Sequence, residues 1–144
     1  MPIVLTAADV REHSGALCEL FRYMKSAGGE ECEADFAARK IAELAAYLDE
    51  GRAFAFAELE GGEPIGFIWA ANIPRSDEAR MHVLYFAVAK AASGRGIGTA
   101  LIECVEDVAR KMNIERCELN VSRTNLGARA FYARRSYIDR KSVV

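Results

Sequence analysis

Three glycines in five residues, Gly94, Gly96 and Gly98, lie between an apolar run and a segment of helical periodicity. The run, Met81 to Val88, has the composition of a central strand covered on both faces. After the glycines, Ile97, Leu101, Cys104, Val105, Val108 and Met112 fall on one stripe, which predicts an amphipathic helix. Glu115 to Ser122 reads as a further strand. The unit from Met81 to Ser122 is therefore expected to form a right-handed parallel crossover.

The turn itself, Ser93-Gly94-Arg95-Gly96-Ile97-Gly98-Thr99, carries chemistry. Glycines let the backbone come close to a ligand and turn its N–H groups inward. The first turn of the helix adds unpaired donors and the positive end of its dipole, so the stretch can hold a phosphate or pyrophosphate. Thr99 could add a hydroxyl and Arg95 a charge-assisted contact. A turn needed only for tight packing is the alternative. The Gly-Lys-Ser/Thr ending of a P-loop is missing. The dinucleotide fingerprint is incomplete, because Gly94-x-Gly96 is followed by a glycine at 98 whereas the pattern wants Gly or Ala at position 99, although Glu118 lies about twenty residues on.

Around this unit the chain alternates between the two periods. Pro2 to Leu5 reads as a strand, and Thr6 followed by Asp9 resembles a capping box at the start of a helix running to Ala27-Gly28-Gly29. An acidic loop, Glu30 to Asp35, precedes a helix with Phe36, Ile41, Leu44 and Leu48 on one stripe and Gly51 at its stop. Phe54 to Trp69 reads as a hairpin turning at Glu60-Gly61-Gly62-Glu63. Asn72 to Arg80 reads as a mobile loop, Asn125 to about Arg135 as the last helix and Ile138 to Val144 as a closing strand. The expected fold is mixed α/β, a twisted sheet of about six strands with four helices, in the order β-α-α-β-β-β-α-β-α-β.

At 144 residues the chain suits one domain spanning 1–144. A formal net charge of −2 lacks the basic excess of a nucleic-acid binder. No apolar segment approaches the roughly 20 residues of a membrane span, and no secretory pattern opens the chain. Cys18, Cys32, Cys104 and Cys117 have no metal-ligand spacing and read as reduced thiols, Cys32 in a polar stretch that could expose it. A cytoplasmic location without a metal follows as the expectation.

The turn together with Gly96-Ile97-Gly98 and the strand ending at Val88 resembles the GNAT acetyltransferase pattern Arg/Gln-x-x-Gly-x-Gly/Ala, with Ser93 at the first position. A second likeness is Asn125-Leu126-Gly127-Ala128-Arg129-Ala130-Phe131-Tyr132, similar to the family's Asn-x-x-Ala-x-x-Phe/Leu-Tyr run, with Ser136-Tyr137 where Gly-Phe is usual. Asn125, Ala128 and Tyr132 share one helix face.

The resemblance implies acetyl-CoA as cosubstrate and direct transfer of its acetyl group to a primary amine of a small molecule or protein. Its pyrophosphate would rest on Ser93, Gly94, Arg95, Gly96, Ile97, Gly98 and Thr99. The pantetheine would run along Phe86, Ala87 and Val88 and meet Asn125. Tyr132 would protonate the departing thiolate, and His82, where some members carry a Glu, would deprotonate the acceptor. Tyr85, Asp77 and Glu78 are further candidates for that base. Acidic residues in the 30–35 and 77–78 loops would suit a cationic amine. A non-catalytic acyl-CoA-binding module and a nucleotide-binding oxidoreductase are the alternatives, and pairing into a homodimer is a further expectation.

Overall fold

The computed structural model describes residues 1–121 and 125–138. A single mixed sheet runs through it in the order β1 (Ile3–Val4), β2 (Phe54–Glu60), β3 (Glu63–Asn72), β4 (Met81–Val88) and β5 (Cys117–Leu119). All neighbours are antiparallel except β4 and β5, which pair parallel as the crossover argument requires. The described residues thus hold five strands rather than about six. The strand predicted from Glu115 to Ser122 shrinks to three residues, and the one predicted after Ile138 lies outside the described residues.

The helices are α1 (Ala7–Glu12), α2 (Ser14–Ala27), α3 (Ala34–Asp49), α4 (Ile97–Lys111) and α5 (Leu126–Arg134). The predicted first helix is thus two, broken at His13, whose φ of −102° and ψ of 20° leave the helical region. Ser14 and Gly15 follow immediately, both poor helix formers, so little propensity opposes the break. Thr6 starts α1 with a full capping box: its Oγ1 accepts from Asp9 N at 3.1 Å, and Asp9 Oδ2 accepts from Thr6 N at 3.0 Å. The hydrogen bonds from Thr6 hold the Asp9 carboxyl below its ordinary value.

Two tight turns join the strands. Gly61 and Gly62 both have positive φ between the paired Glu60 and Glu63, the two-residue hairpin that the sequence predicts. The segment read as a loop from Asn72 to Arg80 holds a second tight turn. Ser76 and Asp77 take φ of 50° and 64°, and Arg75 and Glu78 exchange backbone hydrogen bonds of 2.9 Å. Ion pairs reinforce it, from Arg116 Nε to Glu78 at 2.7 Å and from Arg75 to Glu118 at 3.4 Å.

The strands bury opposite faces, so each apolar run feeds two cores. Phe67, Trp69 and Ala87 join Leu17, Phe21, Ile41 and Leu44 under α1 to α3. Ile68, Ala70, Met81 and Val83 join Ile97, Leu101, Ile102 and Val105 under α4. Burying a large apolar side chain such as Phe21 or Leu101 contributes about 1.5–3 kcal/mol. The four cysteines are free and half-buried, Cys32 included, in keeping with small apolar side chains.

Gly66 sets how closely α4 lies on the sheet. A Cβ there would come within 3.1 Å of both Ile97 Cγ2 and Leu101 Cδ1 and 3.3 Å of the Ala87 carbonyl. A Gly66→Val variant is therefore expected to lose about 1–3 kcal/mol of stability by overpacking. Urea unfolding monitored by Trp69 fluorescence measures the loss.

Candidate active site

Strand β4 is paired unequally on its two edges. Along β3 it is matched from Met81 to Val88, but along β5 only Met81, His82 and Val83 find partners. Beyond Val83 and Leu119 no described residue pairs with that edge, and the two parallel strands part.

A bulge determines what the open edge presents. Trp69 pairs with Tyr85 and Ala70 with Val83, which leaves Leu84 without a partner on β3. Met81 N donates to Arg116 O on the β5 side, whereas Ala89 N donates to Ile65 O on the β3 side. Residues 81 and 89 are an even number apart, so in a regular strand both amides would face the same edge. The extra residue reverses the alternation. After it Tyr85 and Ala87 bond toward β3, and the N–H and C=O groups of Phe86 and Val88 turn to the open edge.

Opposite that edge lies a cleft of about 410 Å³. Its walls come from Lys25 and Glu30 at the end of α2, Val83 to Phe86 on β4, Leu119 to Val121 after β5, and Asn125, Ala128 and Tyr132 on α5. The three α5 residues share the helix face that their spacing predicts. Asn125 is also the N-cap of α5, its Oδ1 accepting from Ala128 N at 3.1 Å. The rings of Phe86 and Tyr132 stand 6.4 Å apart, with Phe131 and Tyr137 packed around Tyr132. Burial pushes the Tyr132 phenol well above its ordinary value, so this side chain holds its proton at neutral pH.

The glycine turn adjoins this cleft through Gly98, whose Cβ position lies 3.5 Å from the Phe86 ring and 3.6 Å from the Phe131 ring. Gly98 therefore serves close packing. Gly94 and Gly96 have φ of 78° and 79°, with no atom within 4 Å of the place a Cβ would take. Gly96 is the N-cap of α4 and supplies no side-chain cap. The turn is thus open to solvent, and the first-turn amides of α4 have no acceptor within the helix. Ile97 points into the core, and Ser93 Oγ donates to Lys90 O at 2.8 Å. Thr99 is half-buried in the first turn of α4. Arg95 is exposed and paired with Glu60 of the β2–β3 turn, which raises its guanidinium further.

Of the predicted site residues, Phe86, Asn125 and Tyr132 line one cleft. Ala87 is buried on β4, and Val88 closes the strand. His82 is not a lining residue. It sits one position before Val83, with Nδ1 3.3 Å from Glu118 Oε1, and Arg80 reaches the same carboxylate at 3.3 Å. A carboxylate only accepts, so this contact selects the tautomer protonated at Nδ1 and leaves Nε2 as the acceptor. Glu78 is engaged by Arg116 and Arg80.

Sequence reasoning missed Leu84 and Lys25. A run apolar at almost every position shows no break where a bulge inserts, and Lys25 looks like an ordinary last-turn cation. Among the described residues no group of histidines, cysteines and acids could hold a metal ion, and no helix is long and apolar enough to cross a membrane.

The model of the acetyltransferase (GNAT) family matches residues 17–137. An uncharacterized N-acetyltransferase of Methanocaldococcus jannaschii is 36% identical over 87 residues, 57% of this chain and 38% of that protein. The chain therefore spans well under half the length of that curated relative. Among solved structures, a ribosomal-protein-alanine N-acetyltransferase from Brucella melitensis biovar Abortus superposes with a TM-score of 0.74 at 22% identity, covering 100% of this chain and 97% of that one. An aminoglycoside N-acetyltransferase in complex with CoA gives 0.76 at 14% identity, covering 100% and 91%. At such identities these likenesses speak for the fold.

Tyr132 and Tyr137 share one pH consequence. Burial raises both phenols, and Glu106 beside Tyr137 raises that one further. A phenol raised in the folded state contributes stability below its unfolded value of about 10, and that stability is lost as pH climbs above it. Two of the five tyrosines are thus expected to resist ionisation at about pH 10. Tyrosinate absorbance reads this, and Tyr132→Phe should move the alkaline unfolding midpoint upward.

Proposed function

This chain belongs to the acetyltransferase (GNAT) family, and from that premise we propose that it transfers the acetyl group of acetyl-CoA to a primary amine. The observation that carries the reading is one cleft lined by Phe86, Asn125 and the proton-bearing Tyr132, on an edge of β4 that no described residue pairs beyond Val83, beside the open glycine turn at Gly94 and Gly96.

Each element then has a task. The amides of the glycine turn and of the first turn of α4 hold the CoA pyrophosphate, with Arg95 released from Glu60 to join them. Asn125 and the open edge of β4 align the pantetheine arm. An amide of Phe86 or Val88 donates to the thioester carbonyl oxygen and steadies the negative charge that forms as the amine attacks. His82, oriented by Glu118, takes the acceptor's proton through a water relay from the rim of the cleft. Tyr132 gives its proton to the leaving thiolate, which suits a phenol kept neutral by burial. The acceptor enters past Lys25 and Glu30. One cytoplasmic domain over residues 1–144 completes the reading.

A mass-spectrometric screen of amines with acetyl-CoA as donor tests this directly. For any amine turned over, Tyr132→Phe is expected to lower kcat by about 10²–10⁴-fold, the range of general acid catalysis, while CoA affinity stays unchanged. CoA binding without turnover of any amine, or turnover indifferent to Tyr132→Phe, would instead favour a binding module.

A second measurement concerns the cradle. Glu60 competes for Arg95, and an exposed pair of this kind contributes little and is screened by salt. Glu60→Gln should tighten CoA binding by up to about fivefold in low salt. Titration calorimetry should show that gain shrinking as salt rises.

A further inference from the structure

The cleft contains an amine of its own. Of the five lysines in the chain, Lys25 is the one that lines it among the described residues. Its Nζ lies 5.5 Å from the Tyr85 ring centroid and 5.8 Å from that of Phe21, and 3.1 Å from Glu30 Oε2. Tyr85 faces the layer of α1 to α3 and its neighbour Phe86 faces α4, where its ring meets Tyr132, and all three line the cleft in which the proposed acetyl transfer takes place. The ammonium is thus held at the acceptor end of the cleft by two aromatic faces and one carboxylate. Glu30 is the single carboxylate among the lining residues, and it also borders an adjoining groove with Glu19, Arg22, Glu31 and Glu33.

We propose that Lys25 is an acceptor for the chain's own acetyl transfer, so that the protein modifies itself at the mouth of its cleft. The inference rests on the acetyltransferase reading above. Lys25 Nζ gives up a proton, which passes by way of Glu30 to the solvent of the groove. The amine then forms the N–C bond with the thioester carbonyl carbon as the C–S bond breaks, the departing sulfur takes the Tyr132 proton, and the second proton leaving the nitrogen returns through solvent to the Tyr132 phenolate. The products are an acetamide on Lys25 and free CoA thiol. The modification removes the cation, and with it the ion pair to Glu30 and the two cation–aromatic contacts.

The test is incubation of the intact protein with acetyl-CoA and no added amine, followed by intact-mass measurement and peptide mapping, with CoA binding measured by calorimetry on the same preparation. The expected result is one acetyl group per chain, mapped to Lys25. It should be absent in Lys25→Arg and formed at least about tenfold more slowly in Tyr132→Phe. Acetyl spread over Lys40, Lys90 and Lys111, or a rate unchanged by Tyr132→Phe, would mean ordinary chemical acetylation and overturn the proposal. CoA binding and turnover of added amines without acetyl-Lys25 would overturn it while leaving the acetyltransferase reading intact. Failure to bind CoA at all would remove both.

Discussion

A strand packed on both faces between two helical layers has little freedom to change register, because a slip of one residue would carry every core side chain to the wrong layer. In β4 that constraint is met on either side of Leu84 by different sets of residues. Met81 and Val83 reach α4 before the bulge, and Phe86 and Val88 reach it after. Leu84 and Tyr85 both turn toward the α1–α3 layer. The two cores thus fix the extra residue in place, and the extra residue turns the next amides outward. A regular strand with the same residues would have spent the Phe86 amide on β3. The open edge is a consequence of packing, and the chemistry proposed for the cleft depends on it.

The other wall of the cleft is built on a different principle. Helix α5 has no fully buried residue, and Leu126 at its start is 70% exposed. It is fastened at its far end by Glu106 of α4, which accepts from Arg135 Nη2 at 2.7 Å and from the Tyr137 hydroxyl at 3.0 Å. Arg135 also reaches Glu103 at 3.6 Å. Aromatic contacts among Phe86, Phe131, Tyr132 and Tyr137 fill the space between. Helices held by few apolar contacts open locally before the rest of a domain. The helix carrying the proposed acid therefore sits at the weaker end of the fold, where a cleft must admit and release its contents.

Much of this was legible in the residues, for reasons that can be stated. The strand–glycine–helix unit declares itself because Val88, Gly96 and Leu101 belong to three different patterns that meet between positions 88 and 101. The i, i+3, i+7 spacing of Asn125, Ala128 and Tyr132 holds in the folded chain because a nine-residue helix has only one way to aim that face. What escaped was set by tertiary pairing. The turn at Ser76-Asp77 uses non-glycine residues at positive φ, stabilised by a network from Arg75, Arg80 and Arg116 to Glu78 and Glu118 that joins residues far apart in the chain. No local signal foretells it. The break at His13 was hidden for the opposite reason, since the apolar stripe continues across it.

The two ends of the site also differ in what they ask of the sequence. The cradle is made of backbone: left-handed glycines at 94 and 96 and the first-turn amides of α4. Ser93 can spend its hydroxyl on Lys90 O and still leave that cradle whole, so a departure from the family pattern at this position need not disturb the backbone donors. The proposed acceptor end is made of side chains, with the Lys25–Glu30 pair on one rim and the His82–Glu118 contact near the other. Each of these can change without moving a strand. The fold itself persists at 14–22% identity in the similar structures. It follows that the glycine turn marks the chain's family, while in the proposed transfer the charges around the cleft carry the choice of amine.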